Sequence, residues 1–273
     1  MPSWNVHTAH VQRLLREGTA SSFGIRDVNA FLFGNFVPDV YIGYMVRNPS
    51  GILPYTLTHF AEPGHIPVPG EREFWDTYVE PTLPLPAEVP VAPGDVTVEE
   101  GVRISRAGGH FAVPATPEEH AALVARLAAP GYRASDVTLG AWAHLLCDNT
   151  YNSATRAWLQ RYSVPPGERT RIRKQGDFDK FGRTLPISLT CEVNDALVAQ
   201  AATFPQYAVR AVDVPRAVEV ANGIVADNQA HHIEGVPEYS LFTADFFHEV
   251  FEHATERLVE RLTDYARRHG YDG

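Results

Sequence analysis

The sequence predicts an all-α fold, a multi-helical bundle that carries one extended excursion. Three observations predict it. Apolar residues recur every three or four positions over several long stretches, capping residues stand ahead of those stretches, and a cluster of prolines marks one segment as non-helical.

Taken in chain order, the opening MPSWNVHTAHVQRLL sets His7 and His10 three apart, on one face of a first helix. FLFGNFVPDVYIGY reads as core. From about Pro81 to Pro114, the residues Pro81, Pro84, Pro86, Pro90 and Pro93 rule out helix and favour extended chain. Val96, Val98, Val102 and Ile104 then alternate loosely with polar residues, which predicts a short hairpin. The segment 81–115 is thus expected to be an extended insertion, and it is the natural place for a lid. Thr116-Pro-Glu-Glu119 supplies a capping hydroxyl, a first-turn proline and a reciprocal glutamate, predicting a helix from 117 to about 129. Asp136 reads as the N-cap of a helix running through Leu139, Ala143, Leu146, Cys147 and Tyr151 to about Gln160. Asp213-Val-Pro-Arg opens another, backed by Ala217, Val220, Ala221 and Ile224. The strongest stripe is the last: Phe247, Val250, Phe251, Ala254, Leu258, Leu262 and Tyr265 predict a long helix within about 240–269, ended by Gly270. With no clear internal boundary, the whole chain, 1–273, reads as one α-helical domain.

Composition excludes several function classes. A net charge of −10 over 273 residues gives a surface that repels phosphate backbones and anionic lipid, so stable nucleic-acid binding is not expected. The two cysteines, Cys147 and Cys191, lie in apolar settings and read as buried free thiols. No cationic segment precedes an apolar core at the start, and nowhere do eighteen apolar residues run together; the expectation is a cytoplasmic protein without a transmembrane segment.

Of the twelve histidines, position singles out a few. In LGAWAHLLCDNTYN, His144 and Asp148 are one helical turn apart, on a face shared with Gly140 and Tyr151. Apolar neighbours surround them, and an unpaired carboxylate buried there would cost several kcal/mol. The two could satisfy each other as a hydrogen-bonded pair. Yet Asp39 also interrupts an apolar run, as do His59 in PYTLTHFAEP and His7 in the first helix. Neutral imidazoles and carboxylates arriving from separate segments are the donor set that zinc binds, and ligands from different helices converge inside bundles. One or two zinc ions would give His7, Asp39, His59, His144 and Asp148 a common partner.

The ordered elements His7, FLFGNFVPD, THF and LGAWAHLLCD, followed by KQGDFDKFGRTL, resemble the zinc-dependent phospholipase C family in its shorter bacterial branch. The matching segments span roughly 4–60 and 136–185. The resemblance implies an all-α fold related to the single-strand-specific zinc nucleases, and phosphoester hydrolysis. It implies that His59, His144, Asp148 and Asp39 hold one zinc, that His7 holds a second with Asp148 bridging, and that Asp39 also holds or deprotonates the attacking water. Two departures stand out. Secreted members use the amino group of a processed amino-terminal Trp, whereas Trp4 here follows Met1, Pro2 and Ser3; and the HxxxE of His248 and Glu252 falls about a hundred residues late, so a three-zinc site is not expected.

His10 is either a supporting partner of the site or a helix-contact histidine. Asp177 is either a supporting residue or, like Asp179, a helix cap or solvated charge. The pair His231-His232 reads as loop, and the basic run Arg171, Arg173, Lys174, Lys180 and Arg183 as a solvent-exposed helix face. Two functions follow. One is a metal-dependent hydrolase of a small-molecule or lipid phosphoester, using water activated by one or two zinc ions. The other is a non-catalytic helical protein held by a structural metal or by a His/Asp hydrogen-bond network.

Overall fold

Eleven α-helices build the described part of the chain, which in the computed structural model comprises residues 2–82, 96–99, 102–105, 112–113 and 117–271. Helix α1 (Trp4–Glu17) buries Trp4, His7, Val11 and Leu14 along one side. Asp27 opens α2 (Val28–Gly34) by accepting the amide N–H of Ala30. Three single-turn helices follow: α3 (Val37–Val40), with Pro38 in its first turn, α4 (Tyr55–Thr58), and α5 (Glu71–Phe74), which widens into a π turn over Trp75–Val79. The apolar run around Asp39 is thus core, as its sequence suggests, but in two short helices.

The expected hairpin is present as β1 (Val96–Glu99) and β2 (Val102–Ser105), antiparallel with Val96 opposite Ser105. A third strand, β3 (Ala112–Val113), joins β2 and makes a small sheet that the alternation pattern did not reveal. The prolines 84, 86, 90 and 93, the lid reading attached to them, and the proposed cap Thr116 lie outside the described residues.

The remaining helices are α6 (Pro117–Leu127), α7 (Asp136–Arg161), α8 (Glu168–Thr184), α9 (Asp195–Ala202), α10 (Asp213–Ala230) and α11 (Ala244–Arg268). The start of α7 differs from its sequence reading by one residue. Ser135 is the cap, its hydroxyl accepting the Thr138 amide, while Asp136 sits in the first turn and accepts the backbone N–H of Arg26. A carboxylate in that position complements the positive helix end as well as a cap would. Thr243 caps α11, and Gly270, at φ 66°, turns the chain away beyond its end.

Helix α7 is the centre of the molecule, buried along most of its first four turns. Helix α2 crosses it where Gly34 meets Gly140. A Cβ on Gly140 would overlap the carbonyl oxygen of Phe31, and one on Gly34 the carbonyl oxygen of Val137. Backbone therefore lies on backbone at this crossing. Helices α8 and α11 close a second apolar cluster, in which Phe181 stacks on Phe247 at 4.6 Å and Phe178 meets Tyr151 edge-on at 5.6 Å. Among the described residues no helix is long and apolar enough to cross a membrane.

Candidate metal centre

Four helical segments deliver five polar side chains to one buried point. His7 comes from α1, Asp39 from α3, His59 from the end of α4, and His144 and Asp148 from successive turns of α7. None is more than 1% exposed. The Nε2 atoms of His59 and His144 are 3.1 Å apart. His59 Nε2 lies 3.4 Å from Asp39 Oδ1 and 3.8 Å from Asp148 Oδ2. His144 Nε2 lies 3.9 Å from Asp39 Oδ2 and 3.8 Å from the same Asp148 oxygen. The other oxygen of that carboxylate, Oδ1, is 3.3 Å from His7 Nε2. The rings of His7 and His144 stack at 4.0 Å.

Outer contacts fix these side chains. His144 Nδ1 donates to the Asn35 carbonyl at 2.8 Å, which leaves Nε2 as the free lone pair facing the cluster. The close crossing of α2 and α7 brings that carbonyl within reach, since Asn35 follows Gly34 and His144 is one turn beyond Gly140. His59 Nδ1 lies 2.8 Å from the hydroxyl of Thr58. Trp4 donates its indole N–H to Asp39 Oδ2 at 2.9 Å, and Tyr55 donates its phenol to Asp148 Oδ2 at 3.3 Å while its ring stacks on His59 at 3.8 Å.

Burial lowers His7 to about 4, with His144 adding to the effect, and burial also lowers His59; these imidazoles are neutral at pH 7. Burial alone would raise Asp39 and Asp148, but the adjacent His144 and its fellow imidazoles hold both below the ordinary carboxylate range. Two carboxylates held below their ordinary range thus sit beside the neutral rings of His7 and His59 in a site closed to solvent. His7 Nδ1 and Nε2, Asp39 Oδ1 and Asp148 Oδ1 have no hydrogen-bond partner. Unpartnered polar atoms gathered around two buried carboxylates are the setting in which a cation fits.

The donor geometry agrees. Tetrahedral zinc with ligands at about 2.0–2.1 Å separates them by roughly 3.3–3.4 Å; His59 and His144 stand 3.1 Å apart, and their distances to the nearest Asp39 and Asp148 oxygens, Oδ1 or Oδ2 in the case of Asp39, run from 3.4 to 3.9 Å. Two overlapping triads, His7–His144–Asp148 and Asp39–His59–His144, could each hold a metal ion. The buried His/Asp cluster therefore can bind a metal.

The other sequence candidates lie apart from it. His10 is buried on the same helix, but its ring nitrogens contact Thr255 and Tyr151 and its face stacks on Phe251 at 4.2 Å; it holds α1 to α7 and α11. Asp177 is buried too, and accepts the amide N–H groups of Ser240, Leu241 and Phe242, fixing the segment before α11. His248 is exposed, Glu252 is near Arg13 at 3.6 Å, and His231 pairs with Asp227 at 2.9 Å on the surface. Both cysteines are buried free thiols. Trp4, Asn35 and Tyr55 are the contributors that residue patterning did not single out for these contacts. Trp4 and Tyr55 look like core aromatics in sequence, and Asn35 acts through its backbone.

Comparison with family models, with curated proteins and with solved structures returns no match.

Proposed function

We propose that this protein is a metal-dependent phosphoester hydrolase whose cofactor is zinc, as one or two ions, and whose ligands are His7, Asp39, His59, His144 and Asp148. The observation that carries the reading is the division of labour within the Asp148 carboxylate. Its Oδ2 faces His59 and His144, while its Oδ1 faces His7 alone. Asp39, His59 and His144 would hold one ion, with Asp148 Oδ2 3.8 Å from both imidazoles and able to join them. His7 and Asp148 Oδ1 supply only two ligands to a second position, so an ion there would keep coordination positions for water and substrate, as catalysis requires. The resemblance to zinc-dependent phospholipases C supports the same assignment.

When bound, zinc would bring the pKa of a water toward ~7 and neutralise charge on phosphoryl oxygens. Asp39 then holds the attacking water. Trp4 pins its Oδ2 and so fixes the direction in which the carboxylate faces the cluster. Asn35 keeps His144 in the tautomer that a ligand needs. The substrate would be a small-molecule or lipid phosphoester.

A structural metal is the second reading, favoured by a specific observation: every candidate ligand is at most 1% exposed, so an ion held by Asp39, His59 and His144 would be shut away from solvent. Metal counting separates the two. Protein purified without added metal should carry zinc, and His144→Ala should lose most of it together with hydrolysis of bis(4-nitrophenyl) phosphate. One tightly held ion with no turnover of phosphomonoesters, phosphodiesters or phospholipids would favour the structural reading. Full metal content and unchanged activity in the variant would reject both.

A further inference from the structure

Among the described residues, four from outside the ligand cluster are within hydrogen-bond distance of its side chains: Trp4, Asn35, Tyr55 and Thr58. Trp4, Asn35 and Thr58 are at most 1% exposed and serve as fixed supports. Tyr55 differs. It is the first residue of α4, set by the extended Pro54 before it, and it is only partly buried. Its ring covers His59 on one side, and its hydroxyl reaches Asp148 Oδ2, the oxygen shared between His59 and His144. Of these four partners it alone connects the closed cluster to the surface.

The contact it makes there is weak. At 3.3 Å the phenol is at the long end of hydrogen bonding, and a carboxylate oxygen engaged by a cation becomes a still poorer acceptor. The O–H is then available to a better one beside it. A phenol, with an ordinary pKa of about 10, is a donor at neutral pH.

We propose that Tyr55 is the residue that receives the substrate's anionic group, its phenol O–H donating a hydrogen bond to a non-bridging oxygen of a phosphate held against the Asp148 side of the cluster. This rests on the hydrolase reading given above and adds to it the residue that recognises the phosphate. The phenol transfers no proton; it orients the anion and takes up part of its charge.

The test uses full-length protein reconstituted with Zn2+, and Tyr55→Phe, which keeps the ring over His59 and removes only the hydroxyl. Metal content and the visible spectrum of the Co2+-substituted protein should be unchanged, because Tyr55 is not a ligand. Affinity for inorganic phosphate, measured by calorimetry on the Zn2+ form, should fall about ten- to hundredfold, the loss expected for a hydrogen bond to a charged group. Phosphate affinity within twofold of the unaltered protein would overturn the proposal, and so would loss of metal in the variant, which would make Tyr55 a support for Asp148. An unaltered protein that hydrolyses phosphoesters while Tyr55→Phe binds phosphate equally well would sink this inference alone. Phosphate binding that depends on Tyr55 in a protein without hydrolytic activity would sink the hydrolase reading and leave this one standing.

Discussion

His7 and His10 are the same residue type on the same helix face, both buried, and they do different things. What separates them is the partner. His10 finds Thr255, Tyr151 and Phe251, so its polar atoms are satisfied within the protein; His7 finds only a carboxylate oxygen and a parallel imidazole. Sequence could expose both as polar intrusions into apolar helix, because burial of His and Asp is read from their neighbours. It could not say which were satisfied, since Thr255 and Phe251 lie some 240 positions away in the chain. Asp177, which its polar surroundings mark as a supporting residue, a helix cap or a solvated charge, is buried as well, and its partners are the amides of Ser240, Leu241 and Phe242 and the Ser240 hydroxyl.

The satisfied histidine has a pH signature. Burial lowers His10 to about 3, with His7 contributing, whereas in the unfolded chain it titrates near 6.5. A group whose folded pKa is depressed lets the unfolded state bind protons first. Its contribution to stability is therefore whole above pH ~6.5 and is lost progressively as pH falls toward 3. Between pH 7 and 5 the loss from this one side chain is about 2 kcal/mol. In urea titrations of the metal-free protein, His10→Gln should lower stability at pH 7 but flatten its fall between pH 7 and 5 by about that amount. An unchanged slope would mean that His10 is not buried neutral.

At the level of elements, the long helices were legible and the short ones were not. Helices α6, α7, α10 and α11 announce themselves by repeated apolar spacing and opening residues over three turns or more. The four-residue helices α3, α4 and α5 are too short for any periodicity to accumulate, and their order comes from packing against α7 and its neighbours. That is why Asp39 and His59 could be recognised as misplaced polar groups while the turns that aim them could not. The crossing of α2 and α7 is a further case, invisible until Gly34 and Gly140 are seen face to face.

That crossing is testable. In Gly140→Ala the added methyl must push on the Phe31 carbonyl, a backbone atom that cannot swing aside. Overpacking of this kind costs about 1–3 kcal/mol, visible as a lowered denaturation midpoint. The same separation should draw the Asn35 carbonyl from His144 Nδ1, and loss of such an orienting contact weakens metal binding about 10–100-fold. Calorimetry with Zn2+ measures it; wild-type affinity in a destabilised variant would show that the helix spacing and the ligand's orientation are independent.

For the whole molecule, the chain divides its work unequally. All five candidate ligands come from residues 7 to 148, and α8 to α11 contribute none of them. Those later helices instead wrap the ligand-bearing ones, α11 against both α1 and α7, and their aromatic cluster packs over Tyr151, three residues beyond Asp148.

The near-complete exclusion of solvent from every ligand atom has a kinetic consequence. An ion ringed by Asp39, His59 and His144, unlike one at the position beside His7 that would take water and substrate, could leave only when the surrounding helices part, so its departure would follow the clock of that opening and ignore how strongly a competitor pulls from outside. With zinc bound, the rate of release into excess EDTA should level off as chelator is raised, at a ceiling set by the protein alone. Release that keeps climbing in proportion to EDTA would mean the chelator can reach in and seize the ion directly.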